Sequence, residues 1–540
     1  MINIKKISIS LIFCLGLVAC TDDFSNINSE FSGVGDEQIR ADFVGLVNPL
    51  KLAQQNFIYS TDFMYQLQVG LNADLYSGFF ATANGGFGQN NSNYFMRDWN
   101  DWIMKNQLEE AMQRAVDFHN IKLKLYPNID FSGSESVLSI LKVMSSARVS
   151  DAHGPVIYSH FGKPNPDFSI DYDSQQDAYK FFIKDLSDAI QNLQKNLGVE
   201  DKTVLTKSDI TFGGNPLKWA KLANSIKLRL AMRMAYADPV SSKKYAEEAL
   251  SSPVGLIEDN SDNALISYGN QSPVYVVCIA WGDANAGAPL TSFLNGYNDP
   301  RLKSYIVPAT DQTINGQYIG VRQGIDLGSN KDKYGGFAHN TAEAATGNYL
   351  SNTDGKAKVF TAAETWFLRA EAALRGYSGA GDAKTNYEKG VQVSFIEWGK
   401  SAGYSAYIDD SSSLPKEYID PKNSGNNILA GNPILSTATI KWDNTSSFEI
   451  KLERIITQKW LALYPDGVEA WAEQRRTGYP KLFPNVINNS GGTISTQDFI
   501  RRIPIPAKYR NNNAPGYDKA AATLGGPDTG GTKLWWDKKL

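Results

Sequence analysis

The sequence predicts a mostly α-helical protein in which paired helices form a scaffold for long ordered loops. Three observations lead there. Apolar residues recur at steps of three and four behind recognisable caps in several separate stretches. Two of those stretches are joined by a turn so short that the helices must run antiparallel, and the segments between helical blocks are long, irregular and rich in aromatic residues.

The helical stretches can be taken in chain order. Asp173 or Ser174 can cap a helix whose apolar face is Tyr179, Phe182, Ile183, Leu186, Ala189, Ile190, Leu193 and Leu197, with Gly198 as its stop. Asn215 and Pro216 read as an N-cap followed by proline at the first helical position. In the helix that follows, Trp219, Leu222, Ala223, Ile226, Leu230 and Met234 form the buried stripe, and Lys218, Lys221 and Arg229 are expected on a solvated face. Thr361 and Glu364 have the spacing of a capping box, opening a helix that carries Phe367, Ala370 and Leu374 and stops at Gly376. After a glycine-rich turn, Asp382 caps a helix with Tyr387, Val391, Phe395 and Trp398. That pair is the hairpin unit of tetratricopeptide-like repeats, although no 34-residue self-similarity is visible.

The first residues have a different logic. Lys5 and Lys6 precede an apolar run from Ile7 to Val18, and Ala19 stands directly before Cys20, which is the form of a secretory signal. The run is shorter than the ~20 residues a membrane-spanning helix needs. A cysteine at the cleavage position resembles the lipobox of bacterial lipoproteins, in which the thiol is acylated. Asp22 and Asp23 just after it resemble the signal that exports lipoproteins to the outer face of the outer membrane. The expected organisation is a signal peptide over 1–19, a lipidated tether over 20–35 and one helical domain over 36–540. With Cys14 in the signal and Cys20 acylated, Cys278 stands alone and no disulfide framework is expected. A net charge of −4 without blocks of like charge suggests neither nucleic acid nor anionic lipid as a partner.

The 26 Tyr, 25 Phe and 11 Trp residues are too many to ignore, and those in Gly- and Asn-rich surroundings have no core pattern to explain them. The irregular stretches 83–94, 257–302, 309–354 and 404–444 hold several. Sugars offer C–H faces that stack on rings and hydroxyls that bond to amides and carboxylates. Two stretches combine both: one with Phe87, Tyr94, Trp99 and Trp102, the other with Tyr268, Tyr275, Trp281 and Tyr297 beside Asn270, Asp283 and Asn285. The candidate ligand-binding residues are therefore Trp281, Tyr275, Tyr268, Phe87, Tyr94, Asp283 and Asn285. Trp99 and Trp102 start a helix and are read as anchors.

Several motifs together resemble the SusD/RagB family of Bacteroidetes nutrient-binding lipoproteins, in its SusD-like branch. They are "KWAKLANSIKLRLAMRMAYADP" (218–239), "AETWFLRAEAALRGY" (363–377), "IITQKWLALYPDGVEAWAEQRRTGYPKL" (455–482), "RRIPIPAKYRNNN" (501–513) and the terminal "LWWDKKL". The resemblance implies a single SusD-like domain and a surface lid over a SusC-like TonB-dependent transporter, capturing oligosaccharides or, in the RagB manner, peptides. Arg475 and Arg476 in these motifs are read as internal struts and Asp299 with Arg301 as a turn brace.

Catalysis finds no support in the motifs. Among 57 acidic residues no carboxylate pair stands out for glycoside hydrolysis. There is no Gly-x-Ser-x-Gly elbow and no His-Glu-x-x-His helix. His119, His153, His160 and His339 are too scattered for a metal site; the segment holding His153 and His160 reads as a turn after a helix ending near Val149. No cofactor and no catalytic residue are expected. A helical-hairpin scaffold that binds only proteins remains the alternative from another class.

Overall fold

A computed structural model describes residues 35–59, 61–87, 91–96, 108–269, 271–341 and 355–539, with only the backbone for Phe87. Cys20, Trp99, Trp102 and Asn270 lie outside the described residues. The principal helices are α1 (Val44–Phe57), α2 (Glu110–Leu125), α3 (Ser132–His153), α4 (Gln175–Leu193), α5 (Val199–Ser208), α6 (Pro216–Arg233), α7 (Pro239–Ser251), α8 (Ala288–Gly296), α9 (Ala362–Leu374), α10 (Ala383–Glu397), α11 (Phe448–Leu463) and α12 (Gly467–Thr477). Among the described residues the strands are short and pair two by two: β1 (Phe80–Ala81) with β3 (Asn285–Ala286), β2 (Ala264–Ser267) with β6 (Lys356–Phe360), and β4 (Ile306–Val307) with β5 (His339–Asn340), all antiparallel. The fold is thus the mostly helical one the sequence predicts.

Helices pack in pairs, α1 on α2, α3 on α4, α6 on α7 and α9 on α10, and neighbouring pairs share faces through α4 with α6 and α9 with α11. Local chemistry sets many of the ends. Ser174 accepts a hydrogen bond from the Asp177 amide at 3.1 Å and starts α4. Asn215 Oδ1 accepts from the Leu217 and Lys218 amides at 3.0 and 3.2 Å, with Pro216 following. Asp382 Oδ2 accepts from the Thr385 amide at 2.8 Å. Gly376, at φ +74°, takes the left-handed conformation that ends α9 at no steric cost.

Four local expectations are corrected. Helix α4 ends at Leu193, and Gly198 is the N-cap residue of α5 rather than the stop of α4. Helix α3 continues past Val149 to His153. The capping box does not form: Thr361 makes no side-chain cap hydrogen bond, and the Glu364 carboxylate accepts from Arg229 instead. Arg229 is accordingly buried, not solvated: α6 is packed against α4, α7 and α9, so its polar face meets interior carboxylates.

That meeting is a network of buried charge at the centre of the molecule. Arg229 Nε donates to Glu364 at 2.7 Å, Arg233 donates to Glu469 and Glu473 at 2.6 and 2.7 Å, and Arg476 donates to Glu371 and Glu473 at 2.6 Å each. Lys459 lies 3.4 to 3.6 Å from Glu364, Glu469 and Glu473. Buried charges persist only when paired and hydrogen-bonded, and here cations and anions alternate across α6, α9, α11 and α12. The Arg233 and Arg476 guanidiniums, with Lys459, hold the Glu473 carboxyl well below the usual range despite its burial. Arg475 is the other kind of strut, binding the Trp471, Asp151 and Arg501 carbonyls at 3.2, 2.6 and 2.9 Å. Asp299 braces its turn by accepting from the Arg301 backbone amide and guanidinium at 2.8, 3.0 and 2.6 Å. The interior is therefore tied together by charge as well as by one large apolar cluster.

Candidate functional site

The loops that the sequence marks as aromatic and polar converge. The helical turn Asp62–Tyr65 runs into a wider π turn, Gln66–Gly70, and packs against a second such pair, Pro273–Tyr275 and Val276–Ala280. Wide turns of this kind are uncommon and recur at functional positions. From the second one the chain leaves through Trp281, reverses at Gly282 and enters β3. Gly282 sits at φ +63°, a conformation costly for any residue with a Cβ, and the reversal separates its neighbours: Trp281 is 39 % exposed while Asp283 is buried.

Asp283 is the point where three loops are joined. Its carboxylate accepts from Gln66 Nε2 at 2.9 Å and Asn84 Nδ2 at 3.0 Å and pairs with Lys331 Nζ at 2.6 Å. Its carbonyl accepts from Thr82 Oγ1 at 3.1 Å. Lys331 also donates to the Trp281 carbonyl at 2.6 Å. The loop after β1 closes on the same place, where the Gly85 amide donates to the Asn330 carbonyl at 3.2 Å. A Cβ on Gly85 would stand 2.3 Å from the Gly328 carbonyl oxygen, so only glycine permits this approach. The result is an exposed indole on a platform whose backbone is held from three sides.

The other candidates are distributed unevenly around that platform. Tyr275 is half-buried in the turn before Trp281. Tyr268 follows β2 and is half-buried too, with its hydroxyl end toward the interior, where burial and the neighbouring Asp74 raise its pKa. Phe87 belongs by backbone to the turn Gly85–Phe87; its side chain lies outside the described residues. Three expectations of ligand-facing side chains meet buried positions instead. Tyr94 is 3 % exposed, and burial raises its phenol. Asn285 is committed to the Phe337 and Gly335 carbonyls at 3.1 and 3.4 Å, because β3 is covered by that loop. Asp283 spends its oxygens on the loop contacts just described. Sequence reading missed Gln66, Asn84 and Lys331; nothing local in those residues signals that they meet one carboxylate.

Beneath the platform lies a cavity of about 80 Å³ lined by Tyr59, Tyr65, Asp74, Arg148, Tyr268 and Asp466 among others. Asp74 accepts from the Tyr65 hydroxyl at 2.6 Å, and its burial raises its pKa to about 7. Asp466 instead pairs with Arg148 at 3.0 Å. A space of this size has room for a few waters and not for a sugar ring. His153 Nδ1 lies 3.0 Å from the Ile503 carbonyl, and burial lowers its pKa to about 4, so it serves as a neutral strut to the C-terminal segment. Among the described residues no group of His, Cys, Asp and Glu could hold a metal ion, and no helix is long and apolar enough to cross a membrane.

The helix hairpins thus carry an exposed aromatic on loops braced from several sides. The chain belongs to the SusD-like family, the SusD and RagB outer membrane lipoproteins, whose sequence profile matches residues 26–537. No curated protein matches it. Among solved structures it is similar to a chitin-binding SusD homologue from Flavobacterium johnsoniae, with 34 % identity, 93 % of this chain and 99 % of the other covered, and a TM-score of 0.82. A SusD homologue from Bacteroides vulgatus has 34 % identity, covering 93 % and 100 % of the two chains at a TM-score of 0.80. One from Bacteroides uniformis has 33 % identity, covering 92 % and 99 % at 0.80.

Proposed function

We propose that this protein is a cell-surface lipoprotein, anchored through Cys20, that binds oligosaccharides and passes them to a SusC-like TonB-dependent transporter without cleaving them. The observation that carries the reading is the Trp281 indole, exposed on a platform that Asp283 and Lys331 hold rigid, in a chain of this family. A ring presented this way adds apolar contact at a polar surface with little ordering cost on binding, which suits the C–H face of a sugar. Tyr275 is the next ring along the same turn and Tyr268 follows β2, while Phe87 is proposed as a further contact from the turn after β1; Tyr94, Asp283 and Asn285 act from within as supports. The chitin binding of the Flavobacterium johnsoniae homologue favours β-linked N-acetylglucosamine oligomers as the first ligand class to try.

The test is a glycan array probed with the mature chain carrying Cys20→Ala, alongside a peptide library. Selective binding of chito-oligosaccharides or another glycan series supports the reading. A blank glycan array with selective peptide capture would move the protein to the RagB type of ligand.

A further inference from the structure

The largest departure from ordinary surface chemistry lies far along the chain from Trp281, in the segment joining α3 to α4. Phe168 is 88 % exposed and adopts φ +64°. Both features are unfavourable: a bulky side chain avoids the left-handed region, and nothing in folding requires an aromatic ring to stand in water. The backbone around it leaves no alternative, since the Asn165 amide donates to the Ser169 carbonyl at 2.8 Å and the Phe168 amide to the Asn165 carbonyl at 2.9 Å. Asn165 Nδ2 then bonds Ser169 Oγ at 3.0 Å. Strain that a tight turn over-determines, and that holds a ring in solvent, points to a ligand for the ring.

The ring stands beside a groove of about 570 Å³, a volume that suits a small ligand. Its floor includes Ile170 and Tyr172, one wall is the first turns of α2 with Gln113, and the other is the stretch Lys508–Asn513. The buried Tyr172 hydroxyl has no well-aligned hydrogen bond, its neighbour Asn513 having both amide atoms on the Ile170 backbone at 2.7 and 3.0 Å. Phe161 borders this groove and also a second one of about 470 Å³ between α2, α3 and α4, where Phe181 is 38 % exposed. The two grooves share Phe161 as a border and are taken together as a trough. Four carboxylates and four cations line the two grooves, so their charges balance; Arg114 pairs with Glu110 at 3.2 Å and Lys142 lies 4.0 Å from Asp185. A trough of rings, amides and a spare hydroxyl, with its charges balanced in sign, favours an extended neutral ligand over an ionic one.

We propose that this trough is a second saccharide-binding site, with Phe168 stacking on one unit of a neutral oligosaccharide. The ligand class rests on the glycan-binding reading above; the site does not, for it shares no residue with the Trp281 platform.

The experiment is photo-crosslinking of the mature chain carrying Cys20→Ala with diazirine-tagged chitohexaose, cellohexaose and maltohexaose, followed by peptide mapping. The expected result is label in peptides covering 156–172 with at least one probe, reduced at least five-fold in Phe168→Ala, restored in Phe168→Tyr and unchanged in Trp281→Ala. The exposed ring predicts an unaltered melting temperature for both Phe168 variants. Label confined to the Trp281 loops would overturn the second site and leave the glycan reading standing. No label from any probe, with a blank glycan array, would overturn both. Unchanged sugar labelling in Phe168→Ala together with loss of co-purification with a membrane barrel would give the trough to a protein partner and overturn the proposal.

Discussion

Asp283 and Lys331 form an ion pair of 2.6 Å across two loops separated by almost fifty residues of chain, and the same ammonium holds the Trp281 carbonyl at 2.6 Å. The pair sets where the indole stands. Asp283→Ala would leave the Gln66 and Asn84 amides without their acceptor inside the platform. We expect folding stability to fall by about 1–3 kcal/mol, the usual cost of stranding buried polar groups, and ligand affinity to weaken as the indole loses its brace. Asp283→Asn, which keeps an acceptor, should recover part of each; calorimetric melting and titration of both variants read the difference.

The central charge network predicts a different kind of loss. Arg233 is fully buried and bonded to both Glu469 and Glu473. Removing it in Arg233→Ala strands those carboxylates, and the expected cost is about 3–5 kcal/mol of folding stability. Denaturant unfolding measures it, and ligand affinity per folded molecule should not change.

Asp74 predicts a pH dependence. Its folded pKa of about 7 lies above the ~3.9 of an unfolded aspartate, so the folded state binds the extra proton between those values. Stability from this group is then full below about pH 4, falls as pH rises towards 7, and levels off above that. Asp74→Asn should remove that slope. Between pH 5 and about 7 the melting temperature of the variant should gain on the parent, with little further gain above that, and a parallel pair of curves would contradict the assignment. His153, neutral because burial lowers its pKa to about 4, works in the opposite sense in both proteins and cancels in the comparison.

The anchor is tested at Cys20. Cys20→Ala should abolish metabolic labelling with a palmitate analogue and release the protein from membranes; retention of both would refute lipid attachment at that residue.

Helix α4 was legible because everything that defines it is local: an apolar stripe at helical spacing and Ser174 in position to cap it. Helix α6 was half legible. Its stripe is as expected, but a basic residue on the opposite face reads as solvated whenever its partner is distant in sequence, and Glu364 is far from Arg229. The same distance explains the platform. The polar types beside Trp281 signalled a special loop, yet Asp283 and Asn285 turned inward, because the loops that cover them, around Asn84 and Gly335, come from elsewhere in the chain. Phe168 had no sequence signal at all, since its exposure depends on a tight turn between two helices and on the groove next to it.

Trp281 carries the central claim, and one calorimetric comparison tests it. The parent and Trp281→Ala are each titrated with the best oligosaccharide from the array and then melted under the same conditions. An exposed stacking ring predicts a loss of about 1–3 kcal/mol in affinity, as for a central aromatic contact, with the melting temperature nearly unchanged. A core tryptophan would instead lower folding stability by about 3–5 kcal/mol. That outcome, with binding intact, would contradict the account.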